Sequence, residues 1–116
     1  MNILKKRSDF AKVKFVILFG SKVNKKANKL SDTDFAVFYD GNSTDRFNFR
    51  LKVLSILSDK FDIQIFQDLP LYVRINVLKG KIIYAKDLTF VYDKAYETIK
   101  AFEDFKKGYY DYINLR

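Results

Sequence analysis

At 116 residues, 48% of them hydrophobic, the chain has the size of one ordinary domain and enough apolar side chains to bury a core. It has no cysteine and no histidine, which excludes disulfides, thiolate and imidazole metal sites and histidine-based triads, and leaves any catalysis to carboxylates and hard, oxygen-liking cations. The formal charge of +8 favours phosphates, nucleic acid or an acidic partner, or serves solubility alone.

Residues 2–11 read as a short helix with Ile3, Leu4 and Phe10 inward. Residues 13–19 are a nearly continuous apolar run ending at Gly20, the pattern of a buried central strand meeting a turn. Residues 22–30 are polar and lysine-rich, a loop or short helix. Residues 34–39 read as a second strand, closed by the turn signal Asp40-Gly41-Asn42. From Thr44 to Lys60 the period changes: Phe47, Leu51, Leu54, Leu57 and Phe61 recur every three or four residues, as on one helix face. Residues 62–66 are strand-like. Pro70 can open a short helix over 70–79, with Gly80 suiting its end. Residues 81–85 make a fourth strand candidate, and 89–114 a helix carrying Tyr92, Tyr96, Ile99, Phe102, Phe105, Tyr109 and Tyr112 near one stripe. Such a stripe is more often core than site, but the hydroxyls of Tyr92, Tyr96, Tyr109, Tyr110 and Tyr112 resist complete burial and suit a partly wet protein–protein interface.

The expected fold is α/β (α+β), one domain over 1–116, with a small mixed sheet of about four strands flanked by helices and closed by a C-terminal helix. The apolar runs are too short to span a membrane, and the N-terminus has no long apolar signal segment, so a cytoplasmic protein is expected.

Three carboxylates stand out. Asp32 and Asp34 open the second strand at positions i and i+2, which share a face in an extended chain, so they can share one cation. Asp62 opens the third strand. A charge beside an otherwise apolar run is costly unless it is paired, solvated in a cleft or bound to metal. For Gly20-Ser21 to meet Asp32 and Asp34, strands one and two must run antiparallel. For Asp62 to join them, strands two and three must run parallel, with the 44–60 helix as crossover. The chemistry that fits is phosphoryl-type transfer, in which Mg²⁺ neutralises a triphosphate held by carboxylates. Gly20 lets the backbone approach phosphate, Ser21 offers a hydroxyl and an N–H, and Lys22, Lys25, Lys26 and Lys29 line the same loop.

At these residues the chain resembles a known family. Gly20-Ser21, nine residues, then Ser31-Asp32-Thr33-Asp34 before an apolar strand is similar to the signature of the minimal nucleotidyltransferases of the polymerase-β superfamily. The runs 16–19 and 61–66, Leu69-Pro70, Arg74 and the stretch 78–84 resemble its first strand, its third acidic segment and its later half. The resemblance covers about residues 12–87 and departs at Asn24, Lys25 and Lys26, where family members often carry an arginine and a small residue. It implies that Asp32, Asp34 and Asp62 are catalytic and ligate Mg²⁺, with Asp62 helping to deprotonate the acceptor hydroxyl. It implies that Gly20, Ser21, Ser31 and Lys22 hold the nucleotide, with ATP as substrate. Arg74 reads as an exposed helix arginine rather than a phosphate contact. Minimal members are often the antitoxins of HEPN-family ribonuclease toxins, and some transfer AMP to a toxin tyrosine. A HEPN-type toxin is therefore the implied acceptor and partner. The alternatives are a non-catalytic module that masks a toxin by contact, or a nucleotidyltransferase acting on RNA ends or a small hydroxylated antibiotic.

Overall fold

The computed structural model describes residues 8–20, 33–57 and 60–114. A 3-10 turn over Ser8–Lys12 leads into β1 (Val13–Phe19), followed by β2 (Thr33–Tyr39), helix α1 (Ser43–Ile56), β3 (Phe61–Ile65) and a 3-10 turn (Phe66–Asp68). Helix α2 (Leu71–Leu78), β4 (Lys81–Ala85) and helix α3 (Leu88–Asn114) complete the order. From β1 onward the described elements follow the expected order, and the bounds of β1 and β4 fall where the apolar runs begin and end. The helix expected over 2–11 is a 3-10 turn where it is described, Ile3 and Leu4 and the segment 22–30 lie outside the described residues, and α1 stops at Ile56 rather than Lys60.

The described strands form one sheet in the order β3-β2-β1-β4. β1 pairs antiparallel with both β2 and β4, whereas β2 and β3 are parallel, joined by α1 as the crossover. The antiparallel β1–β2 and parallel β2–β3 pairs are the two that a shared carboxylate site requires. α1 is started by Asn42, whose side-chain oxygen accepts from the Asp45 N–H at 2.8 Å. It is tied to the sheet's far end by Arg46, which donates to Gly41 O at 2.8 Å and in fork geometry to Asp68, the shorter contact being 2.7 Å. The hydrogen-bonded Asp68 carboxylate holds the Arg46 guanidinium above its ordinary pKa.

Alternation along the strands builds two cores. Val13, Val16, Val37, Tyr39, Ile63 and Ile65 face α1, where Phe49 and Val53 are buried and Tyr39 stacks on Phe49 with ring centroids 4.3 Å apart. Phe15, Ile17, Ala36 and Phe66 face α2 and α3, against Val77 and Val91. The face of α1 differs from the expectation: Phe47 and Leu51 are 57% and 47% exposed, and only Leu54 and Leu57 of the expected stripe pack on the core. Apolar residues occupy most of the helix circumference, so two faces satisfied the spacing; the fit of Phe49 on Tyr39 and of Val53 over β3 decided between them. Phe61, read as the end of that stripe, instead begins β3 and stacks on Phe35 at 5.9 Å.

Gly80 follows α2 because a side chain there would run into Leu18 O and the Ile17 side chain; the constraint is the close passage of two chain segments, with no left-handed backbone involved. The stripe on α3 is not core. Among the side chains described, Val91 and Thr98 are the buried positions of α3, Phe102 is half-buried, and Tyr92, Tyr96, Ile99, Phe105 and Tyr109 are exposed; those of Tyr110 and Tyr112 lie outside the description. Among the described residues no helix is long and apolar enough to cross a membrane.

Candidate active site

The site lies where β1 ends and β2 and β3 begin. Asp34 is the register partner of Phe19 on β1 and of Asp62 on β3. Neighbouring strands stand about 4.8 Å apart, and register partners in a parallel pair share a face. Asp34 alternates with Ala36 and Phe38, and Asp62 with Gln64 and Phe66, so both carboxylates sit on the α2–α3 face at one end of the sheet. The Thr33 N–H donates to Lys60 O at 2.8 Å, which keeps the two strand starts level.

Gly20 closes the third side. Its φ is 94°, a left-handed conformation, and a Cβ there would collide with Asp34 Oδ2 and stand 3.2 Å from its Cγ. The Asp34 carboxylate therefore lies directly over the glycine backbone at the end of β1.

Asp62 is held by one hydrogen bond and one nearby cation. Gln64 Nε2 donates to Asp62 Oδ2 at 2.8 Å, and Arg50 Nη2 stands 3.7 Å from Asp62 Oδ1. Arg50 is itself anchored, its Nε donating to Ile63 O at 2.6 Å. Neither residue was singled out from sequence. Gln64 could have been, since it is two residues beyond Asp62 on the same strand face; Arg50 reaches Asp62 from α1 across the sheet edge, a contact without periodic trace in the chain.

Of the other predicted residues, Asp32, Ser21, Ser31 and Lys22 lie outside the described residues, as do Lys25, Lys26 and Lys29. Arg74 is half-buried rather than exposed: its Nε donates to Leu69 O at 3.1 Å, and its side chain lines a cavity of about 340 Å³ with Phe38, Gln67, Lys94 and Glu97. That cavity is at the Phe38 end of β2, four residues along from Asp34, and holds none of the described carboxylates of the site. A cavity of about 260 Å³, lined by Phe47, Arg50, Gln64, Ile65, Asp68 and Leu69, flanks Asp62 through Arg50 and Gln64.

Two hard carboxylates side by side, one seated on a backbone with no Cβ, suit an oxygen-liking divalent cation. Among the described residues the acidic group numbers two, Asp34 and Asp62, and no larger metal-binding cluster is present.

Comparison with known proteins gives the family and the fold. Residues 1–89 match the family model described as polymerase beta, nucleotidyltransferase. A chain of Methanocaldococcus jannaschii that carries the name of a protein adenylyltransferase is 33% identical over 98 residues, covering 84% of this chain and 75% of the relative. Among solved structures, a chain of a toxin–antitoxin crystal structure with AMP-PNP superposes with a TM-score of 0.69 at 21% identity, covering 89% of this chain and 85% of the other. A chain from the complex of tri-AMPylated Shewanella oneidensis HEPN toxin with MNT antitoxin has the same TM-score and identity, covering 97% and 91%.

Proposed function

The chain belongs to the polymerase-β nucleotidyltransferase family, and from that membership we propose that it transfers AMP from ATP to a tyrosine hydroxyl of a HEPN-type ribonuclease toxin and acts as that toxin's antitoxin. The observation that carries the reading is the pairing of Asp34 with Asp62 against the Gly20 backbone. The relative named as a protein adenylyltransferase, and the fold shared with a chain of the complex of AMPylated HEPN toxin with MNT antitoxin, support the choice of acceptor.

In this reading Asp32, Asp34 and Asp62 hold Mg²⁺, and Gly20, Ser21, Ser31 and Lys22 hold the triphosphate. Mg²⁺, when bound, supplies positive charge against the charge that grows on the triphosphate oxygens. Asp62, on the edge strand and partly exposed, is open to an incoming hydroxyl and takes its proton as the oxygen attacks the α-phosphorus. A bond forms from acceptor oxygen to the α-phosphorus, the α–β bridging bond breaks, and pyrophosphate leaves with the electron pair. Gly20 brings backbone rather than side chain to the phosphates. Such a protein works in the cytoplasm, where ATP and a ribonuclease toxin are both found.

The test is label transfer from α-labelled ATP to the co-purified toxin with Mg²⁺. Transfer by the parent chain and its loss in Asp62→Asn are expected; equal labelling by both, or by neither, refutes the enzymatic reading. A second reading rests on the exposed Tyr92, Tyr96 and Phe105 of α3: the chain masks the toxin by contact alone. Neutralisation that survives Asp32→Ala with Asp34→Ala selects that one.

A further inference from the structure

We propose that Gln64 and Arg50 are positioning residues that hold the Asp62 carboxylate aligned with Asp34, an inference that rests on the role given to Asp62 above. β3 is an edge strand, and a third of the Asp62 side chain is exposed. A carboxylate at a sheet edge beside a second carboxylate has every electrostatic reason to rotate away into water, because like charges at neighbouring strand positions repel. Two side chains oppose that rotation, a hydrogen-bond donor at one oxygen and a cation near the other. Gln64 fixes Oδ2 with a 2.8 Å hydrogen bond from the same strand face. Arg50 sets a positive charge 3.7 Å from Oδ1, too long for a hydrogen bond but close enough for attraction.

The chemistry of the two side chains differs in a useful way. Gln64 is neutral, so it orients the carboxylate without competing with a cation for its charge. Arg50 is charged, but its short hydrogen bond is spent on Ile63 O, the carbonyl next along the strand from Asp62. Its guanidinium is thereby fastened to the strand that carries Asp62, at a distance that leaves the Oδ1 lone pairs accessible. Both side chains line the cavity beside β3, so they approach Asp62 from its flank. Partners of this kind, which orient a metal-binding carboxylate, typically change metal affinity or activity 10–100-fold when removed.

The experiment uses the full chain and compares Gln64→Leu, Gln64→Asn, Arg50→Met and Asp62→Asn, with both leucine and methionine variants also placed in the Asp62→Asn background. Binding of Mn²⁺ alone, followed by the loss of the free ion's EPR signal, reports on the site without turnover. Weakening of about 10-fold or more is expected in Gln64→Leu and in Arg50→Met, and a smaller loss in Gln64→Asn, which keeps the amide one methylene short. Label transfer should fall in kcat by a similar factor with KM for ATP little changed. In the Asp62→Asn background neither substitution should cost anything further, which is the signature of action through Asp62. Arg50→Met also strips a backbone carbonyl of its partner and lowers thermal stability; Gln64→Leu does not share that defect, so the pair separates positioning from folding.

Parent-like Mn²⁺ binding and transfer in Gln64→Leu overturns the proposal while leaving the role of Asp62 intact, provided Asp62→Asn is inactive. Equal losses with and without Asp62 also overturn it. If Asp62→Asn itself binds Mn²⁺ and transfers label as the parent does, the active-site reading falls and this inference with it.

Discussion

At Gly20 the backbone turns through φ 94° while its α-carbon lies under the Asp34 carboxylate. Any side chain meets two penalties there. The left-handed conformation costs a non-glycine residue about 1–2 kcal/mol, and a Cβ needs the space held by Asp34 Oδ2. Gly20→Ala is therefore expected to lower stability by about 1–2 kcal/mol in urea unfolding and to push Asp34 out of line with Asp62. Misplacement of about 1 Å can cost 10²-fold in rate, so label transfer should drop by about that factor. A variant as active as the parent would show that Asp34 need not sit where it does. Asp34 and Asp62 were readable from the chain because each interrupts or opens an apolar run, where a charge needs a reason. Gln64 and Arg50 were not, since a hydrogen bond or ion pair to a chosen partner leaves no pattern until the topology brings the elements together.

The fork from Arg46 to Asp68 invites a large energetic value that the exposure does not support. Asp68 is close to half exposed, so solvent screens the pair. Each single alanine variant should lose about 1 kcal/mol or less, with a coupling energy of similar size in a double-mutant cycle. Coupling well above that would mean that Arg46 also organises the turn at Gly41, whose carbonyl it binds.

Among the elements, α1 provides the sharpest test of packing. Phe49 is buried and stacked on Tyr39, whereas Phe47, two residues earlier, is mostly exposed. Phe49→Ala should cost about 3–5 kcal/mol, while Phe47→Ala should stay within about 0.5 kcal/mol of the parent in chemical unfolding. Reversed effects would restore the face inferred from spacing. The strands were legible for a simple reason: β1 is a nearly unbroken apolar run stopped by Gly20, and β2 is stopped by Asp40-Gly41-Asn42, of which Asn42 becomes the cap of α1. The starts of α1, α2 and α3 were nearly as legible, but α1 ends at Ile56 rather than Lys60, because Phe61 belongs to β3. The helix orientation was not legible, because Phe47, Phe49, Leu51, Val53 and Leu54 surround α1, and a 3.6-residue period cannot choose between two apolar faces. Strand direction lay between these cases. It followed from requiring Asp62 to meet Asp34, a chemical demand rather than a local propensity, and the parallel β2–β3 pair has that direction.

At the scale of the whole molecule, α3 runs on past its last buried position. Its 27 residues rise through about 40 Å, yet its buried positions are Val91 and Thr98, with Phe102 half-buried and Phe105 already 61% exposed. Among the side chains described, the helix thus contributes to the core through its first half, and Phe105 and Tyr109 do little for folding. On a second flank, Tyr92 and Tyr96 are one turn apart and both exposed. Exposed aromatics one turn apart suit the contact with the toxin partner proposed above. Replacing Tyr92 and Tyr96 together by serine should leave the unfolding free energy within about 0.5 kcal/mol per site. It should weaken association with the proposed toxin partner by about 2 kcal/mol or more if the aromatics are anchors of that contact, a loss of roughly 30-fold in Kd by titration calorimetry. Label transfer would then fall through KM for the protein acceptor, with KM for ATP unmoved, because Asp34, Asp62 and Gly20 stand at the far ends of other elements. A loss of stability without a loss of affinity would instead assign these aromatics to the fold, and place the acceptor on another face of the sheet.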